Sequence, residues 1–286
     1  MHFLKRSLLI AIDAFRDFLA DDGWAIASHI ALSTLMAMFP FLIVVTAIAG
    51  FIFGSKEMAD EAARILLEAW PKEVAGPLAL DIHGVLTTAN GGVLTFGVAF
   101  ALYFASSGVE SLRIGLNRAY DVSEPRGAWL LRLESIGYVL VGAVALLAFA
   151  FLVVLAPLIW ATMLKIAPAI APFGELITFA RFSVAALVLV VALLIVHLWL
   201  PAGSRGLLQV MPGIVATLLL WLASGAIFGR YLAEFAFAYS IMYAGLASAM
   251  IALVFLYVCA SIFIYGGELN SAILKARGSK RRARTR

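Results

Sequence analysis

The sequence predicts an all-α, polytopic membrane protein with six transmembrane helices and both termini in the cytoplasm. Three observations predict it. Of the 286 residues, 64% are hydrophobic and only 13% are charged, whereas an ordinary soluble domain is about 45–50% apolar and about 25% charged. Six apolar runs reach span length, which is ~20 residues for a helix crossing the hydrocarbon core. Finally, 15 of the 21 Lys and Arg fall on one side of those runs and six on the other, and the side with the excess is cytoplasmic. A soluble fold is excluded, because a chain of this size could not cover its apolar residues with so little polar surface.

The elements follow in chain order. In Leu4–Leu19 the residues Leu4, Leu8, Ile12, Phe15 and Leu19 recur at helical spacing opposite Lys5, Asp13 and Arg16, which fits a helix lying in the membrane interface or a plain cytoplasmic lead-in. Span one, Ile30–Phe53, follows a 29-residue segment and has no small-residue cleavage site; it reads as a retained span. Ser55 then caps an external amphipathic helix over 56–70, with Glu57, Asp60 and Glu61 in its first turns and Pro71 ending it. That helix fits a cap over the bundle or a docking surface. Spans two to six are Gly92–Leu112, Ile136–Ala161, Phe182–Leu200, Leu207–Gly229 and Ile241–Ile264. Pro40 and Pro157 predict kinks or local breaks, and the Gly225/Gly229 pair predicts close packing of span five. Residues 1–274 form one membrane domain. The tail 275–286 holds seven Lys and Arg, which points to topology and anionic-lipid contact rather than nucleic acid.

Ionisable groups cost ~2.5–3.5 kcal/mol at mid-span, so each must lie at an interface, face the bundle or line a wet cavity. Ser106, Glu110, Arg113 and Asn117 share one helical face near the inner end of span two, where Glu110 and Arg113 are expected to pair along the helix. Tyr257, Ser261, Glu268 and Asn270 form a comparable stripe at the end of span six. Either stripe fits a helix end that pairs its own charges. If spans two and six touch, Ser106, Glu110, Arg113, Asn117, Ser261, Glu268 and Asn270 are the candidate substrate path. His29 and His197 read as interfacial or hydrogen-bonded histidines, and Arg181 as a snorkelling one. The lone Cys259 excludes an intrachain disulfide.

No enzyme is expected, and no cofactor or metal. The histidines His2, His29, His83 and His197 lack metal-binding spacing, and the chain has no phosphate loop and no nucleophile elbow. Ser106-Ser107 has no identifiable base.

Several phrases resemble the YihY/virulence factor BrkB family of bacterial inner-membrane proteins. They are Ser33-Thr34-Leu35 running to Phe39-Pro40, Gly115-Leu116-Asn117-Arg118-Ala119-Tyr120, Met211-Pro212-Gly213, and Gly266-Gly267-Glu268-Leu269-Asn270. Gly267, where the family more often has alanine, and Ala244, which interrupts a Tyr-Gly pair, are small departures. The resemblance implies six spans with cytoplasmic termini in the inner membrane. It also brings a ribonuclease label that the residues of this chain do not support.

The polar stripes and span prolines predict a transporter or flippase-like protein for an envelope lipid or small amphiphile, not driven by ATP. The competing expectation is an envelope interaction or scaffold protein. Expected partners are membrane lipids, the amphiphilic substrate and a second copy of the chain; nucleic acid is not among them.

Overall fold

The computed structural model describes residues 2–53, 91–150, 152, 156–243 and 247–284. The predicted external helix 56–70 lies outside them. The described chain forms α1 (His2–Ala20), α2 (Gly23–Phe53), α3 (Gly91–Ala119), α4 (Ala128–Ala150), α5 (Ala156–Ile166), a 3-10 turn (Pro168–Phe173), α6 (Gly174–Trp199), α7 (Leu207–Tyr243) and α8 (Ala247–Arg284). No strand occurs among the described residues.

Spans one, two, four and five lie within α2, α3, α6 and α7, with α6 stopping at Trp199, one residue short of the predicted end. Apart from residue 152, the described residues of span three belong to α4 and α5, with Pro157 in α5; residues 151 and 153–155 lie outside the described residues. The other proline, Pro40, lies inside α2, which continues as helix to Phe53. The first residues predicted for span six instead complete α7, and α8 starts at Ala247. Among the described residues, α4, α6 with its preceding 3-10 turn, α7 and α8 are long and apolar enough to cross a membrane.

The buried share of these apolar segments rises from 6% in α4 and 11% in α6 to 22% in α7 and 39% in α8. The last helix is therefore the centre of the bundle, and α1, α2, α3 and α7 pack against it. On the far side α4 bridges α3 and α6. One core joins Phe18, Leu116, Val210, Ile214, Phe263 and Ile264, all at the end of the bundle where α1 and the C-terminal part of α8 lie. The same region holds most of the described Lys and Arg and is called the basic end below.

Helix α1 docks there through few residues. Ala14 and Phe18 are buried, the Tyr265 hydroxyl donates to the Ala11 carbonyl at 3.3 Å, and Lys275 pairs with Asp17 at 2.9 Å. Its predicted stripe stays uncovered: Leu8, Ile12, Phe15 and Leu19 are 40–63% exposed, as a helix lying in the membrane interface requires.

The close approach expected at Gly225 and Gly229 is not there, since a Cβ built on either meets nothing within 4 Å. It occurs one helical segment earlier. A Cβ on Gly213 of α7 would lie 2.0 Å from the Gly266 carbonyl oxygen of α8, and one on Gly266 would lie 2.2 Å from Thr217 Oγ1. Two glycines facing each other across a helix pair bring backbones together; a glycine pair on one helix has no such effect without a partner in register.

Candidate functional site

Helix α3 ends at the basic end on Asn117, Arg118 and Ala119, and the chain then turns through Asp121 in the left-handed region (φ 52°). The turn leads residues 120–127 back across the bundle to α4. The result is a compact charged nest. Arg126 clamps Glu124 through Nε at 2.6 Å and Nη2 at 2.7 Å, donates to Glu134 at 2.8 Å and reaches the Leu200 carbonyl at 3.0 Å. Arg113, only 2% exposed, donates to the Leu131 carbonyl at 3.2 Å and to Ser135 Oγ at 3.0 Å. Glu134 lies 3.7 Å from it. Two arginines and two glutamates thus tie α3, α4 and the end of α6 together.

The Glu110–Arg113 pairing expected along α3 does not form. Helix α4 supplies better-placed partners: Glu110 binds Arg132 at 3.2 Å, and Arg132 also covers the Tyr103 ring at 4.9 Å. Spacing of three residues places two side chains on neighbouring positions of one helix, but the adjacent helix decides which of them faces it.

The Arg126 clamp, helped by a bond from Asn117, holds the Glu124 carboxyl down at about 2, below its ordinary 4.5. A depressed folded-state value stabilises the fold fully above the unfolded value, and that share is lost as pH falls. Between pH 4.5 and about 2 the protein should therefore lose on the order of 2 kcal/mol at this site. Glu124→Gln should lose its share at neutral pH, so thermal melting of the variant should vary less across this acid range than that of the wild type.

Two asparagines hold the connections around this nest. Asn117 Oδ1 accepts from the Ala202 N–H at 2.7 Å, and its Nδ2 donates to Glu124 at 3.0 Å. Asn270 Oδ1 accepts from the Gly213 N–H at 2.6 Å, and its Nδ2 donates to the Tyr120 hydroxyl at 3.2 Å. Tyr120 also faces His197 Nδ1 at 3.4 Å and carries the Arg205 guanidinium over its ring at 3.9 Å. Burial raises the Tyr120 pKa and lowers that of Arg205. Three of the four sequence phrases singled out above, those over 115–120, 211–213 and 266–270, meet here. Gly115 faces Ile264, Gly267 faces Leu116 and Ala119, Gly213 faces Gly266, and Gly108 faces Ser33.

Of the predicted path residues, Arg113, Asn117, Glu268 and Asn270 are buried at this end. Ser106 and Ser261 are buried too, but each hydroxyl bonds a carbonyl of its own helix, Tyr103 and Tyr257. Helices α3 and α8 do touch, through Gly115 against Ile264 and Gly267 against Leu116. Two open spaces border α3. A polar cavity of about 690 Å³ is bordered by Asp21, Asn117, Arg118, Asp121 and Glu124. An apolar groove of about 580 Å³ runs between α3, α4 and α6, bordered by Val109, Leu112, Tyr138, Gly142, Val191 and Leu200.

Glu124, Arg126, Glu134, Tyr120 and Tyr138 escaped sequence reasoning. The alternation of acids and arginines over 121–134 is the signal that marks them, because counting arginines for orientation ignores the acids between. His197 is a buried, bonded histidine as expected, and His29 contacts the Ser111 hydroxyl. Arg181 lies over the Phe182 ring at 4.5 Å.

A family model described as Virulence factor BrkB matches residues 14–286. Among curated proteins, a ribonuclease-like protein named YfkH from Bacillus subtilis (strain 168) is 27% identical over 275 residues, covering 96% of each chain. A UPF0761 membrane protein from Rhodospirillum centenum is 24% identical over 272 residues, covering 92% of this chain and 57% of that one. No solved structure matches the chain.

Proposed function

Since the chain belongs to the virulence factor BrkB family, we propose that it is a six-span protein of the bacterial inner membrane, with cytoplasmic termini, that moves an envelope lipid or small amphiphile without ATP. The groove between α3, α4 and α6 carries this reading. Its lining is apolar, as an acyl chain demands, and it ends against the charged nest. Leu200 borders the groove while its carbonyl accepts from Arg126. Leu112 precedes Arg113, and Tyr138 stands one turn beyond Glu134. A tail lying in the groove would place a polar head beside Glu110, Arg113 and Asn117, next to the polar cavity. With no phosphate loop in the sequence, movement is facilitated or uses a gradient.

The test is photolabelling of the reconstituted full-length protein by a phospholipid carrying a diazirine on its acyl chain. Label should concentrate on residues 109–112 of α3 and 138–145 of α4. Gly142→Phe, which fills the groove at a position where an added Cβ meets nothing within 4 Å, should cut that labelling several-fold. Label spread evenly over the lipid-facing helices, unchanged by Gly142→Phe, would contradict the reading. An envelope scaffold, resting on the basic tail and the 56–70 segment, would instead give stable protein cross-links and no focused lipid label.

The orientation has its own check. Alkaline phosphatase fused after residue 70 should be active and a fusion at the C-terminus inactive; the reverse pattern would overturn the topology.

A further inference from the structure

Glu268 of α8 is 1% exposed, and neither of its carboxylate oxygens has a hydrogen-bond partner. The side chain facing it is another acid, Asp21, in the turn between α1 and α2, close enough for the two to share a hydrogen. Two carboxylates cannot bond each other, since both only accept; one proton between them supplies the missing donor. We infer that Glu268 and Asp21 form a proton-binding pair at the seam between α8 and the α1–α2 turn, filled from the polar cavity beside it.

No neighbouring charge replaces that proton. Asp17 of α1 adds a third negative group, and the cation attracting Glu268 is Lys275, whose ammonium is committed to Asp17 at 2.9 Å. Arg118 of α3 donates to the Asp21 backbone carbonyl and to the Asp22 carboxylate. The Tyr120 hydroxyl is engaged with Asn270 and His197. Asp121, in the turn after α3, acts on Lys275. From α7 the nearest packing is Gly213 and Thr217 against Gly266, which is uncharged. An ionised Glu268 here would be a buried charge without counter-ion or donor, an arrangement proteins avoid by protonation.

The route in is short. Asp21 borders the polar cavity of about 690 Å³ and interacts with Glu268. One proton passes from cavity water to the pair and returns the same way, and no other bond changes. When the proton leaves, negative charge accumulates at Glu268 beside Asp17 and Asp21, across the contact by which α1 docks on α8. Docking of α1 is therefore tighter with the pair protonated and loosens at alkaline pH. This holds whether or not the chain carries an amphiphile, because the readout is a proton and not transport.

Infrared difference spectroscopy of the full-length protein, recorded between neutral and alkaline pH, tests it. The wild type should show a protonated-carboxyl band at neutral pH that disappears on alkalinisation. That band should be missing in Glu268→Gln, which keeps the shape and neutrality of the protonated acid. In Asp21→Asn the Glu268 band should persist but vanish at a lower pH, since the adjacent negative charge is gone. Identical difference spectra for wild type and Glu268→Gln would overturn the inference. So would an Asp21→Asn titration matching the wild type, and that variant decides the matter should Glu268→Gln not fold.

Discussion

Gly213→Ala should leave little folded protein in the membrane. The added methyl would lie 2.0 Å from the Gly266 carbonyl oxygen and 2.5 Å from Asn270 Nδ2, and the first of these is backbone, which cannot swing aside. Helices α7 and α8 would have to separate, and the Gly213 N–H would lose Asn270 Oδ1 at 2.6 Å. Overpacking at a rigid contact typically costs ~1–3 kcal/mol, and the lost bond adds about 1–3 kcal/mol for a buried donor left unpaired. Because α8 is the central helix, the loss spreads to α1, α2 and α3. Size-exclusion profiles and thermal melting in detergent measure it. Gly225→Ala is the control: its Cβ meets nothing within 4 Å, so its melting temperature should stay near that of the wild type or rise. Equal melting of Gly213→Ala and Gly225→Ala would show that the α7–α8 contact has been misread.

The second large effect is expected at Asn270. Its amide occupies both ends of a bridge, accepting from Gly213 and donating to Tyr120, and it is fully buried. Asn270→Leu keeps the volume but orphans the Gly213 N–H and removes a partner from Tyr120. With one buried donor unsatisfied and one further bond lost, the expected destabilisation is about 2–4 kcal/mol. Asn117→Leu should behave similarly but less severely, because Glu124 retains its Arg126 clamp. The ordering matters as much as the size. If Asn117→Leu destabilised more than Asn270→Leu, the loop at Ala202 and not the α7–α8 junction would be the weak point of the basic end.

The positions of the long apolar helices were legible in the sequence. Long apolar runs are properties of single segments, so α2, α3, α6 and α7 fall close to where hydropathy puts them. What failed to show were features needing two helices in register. Gly225/Gly229 satisfies a spacing rule, yet nothing faces it; Gly213 matters because Gly266 stands opposite. Glu110 and Arg113 are neighbours on α3, but Arg132 and Ser135 arrive from α4. Asn117 and Asn270 stood out as polar residues at span ends, while their partners, the backbone N–H groups of Ala202 and Gly213, carry no sequence signal at all. The nest of Glu124, Arg126 and Glu134 shows in the sequence only as alternating charge, because the turn at Asp121 and the approach of α4 decide which guanidinium meets which carboxylate.

Transbilayer movement of a fluorescent phospholipid, read by a membrane-impermeant quencher in vesicles reconstituted with the full-length protein, tests the central proposal most directly. Protein-containing vesicles should lose nearly all their fluorescence, whereas protein-free vesicles lose only that of the outer leaflet. Glu110→Gln and Gly142→Phe, each confirmed as folded, should slow the additional loss several-fold. A quenching profile for wild-type vesicles indistinguishable from that of protein-free vesicles, across phospholipid, lysolipid and fatty-acid probes, would contradict the account.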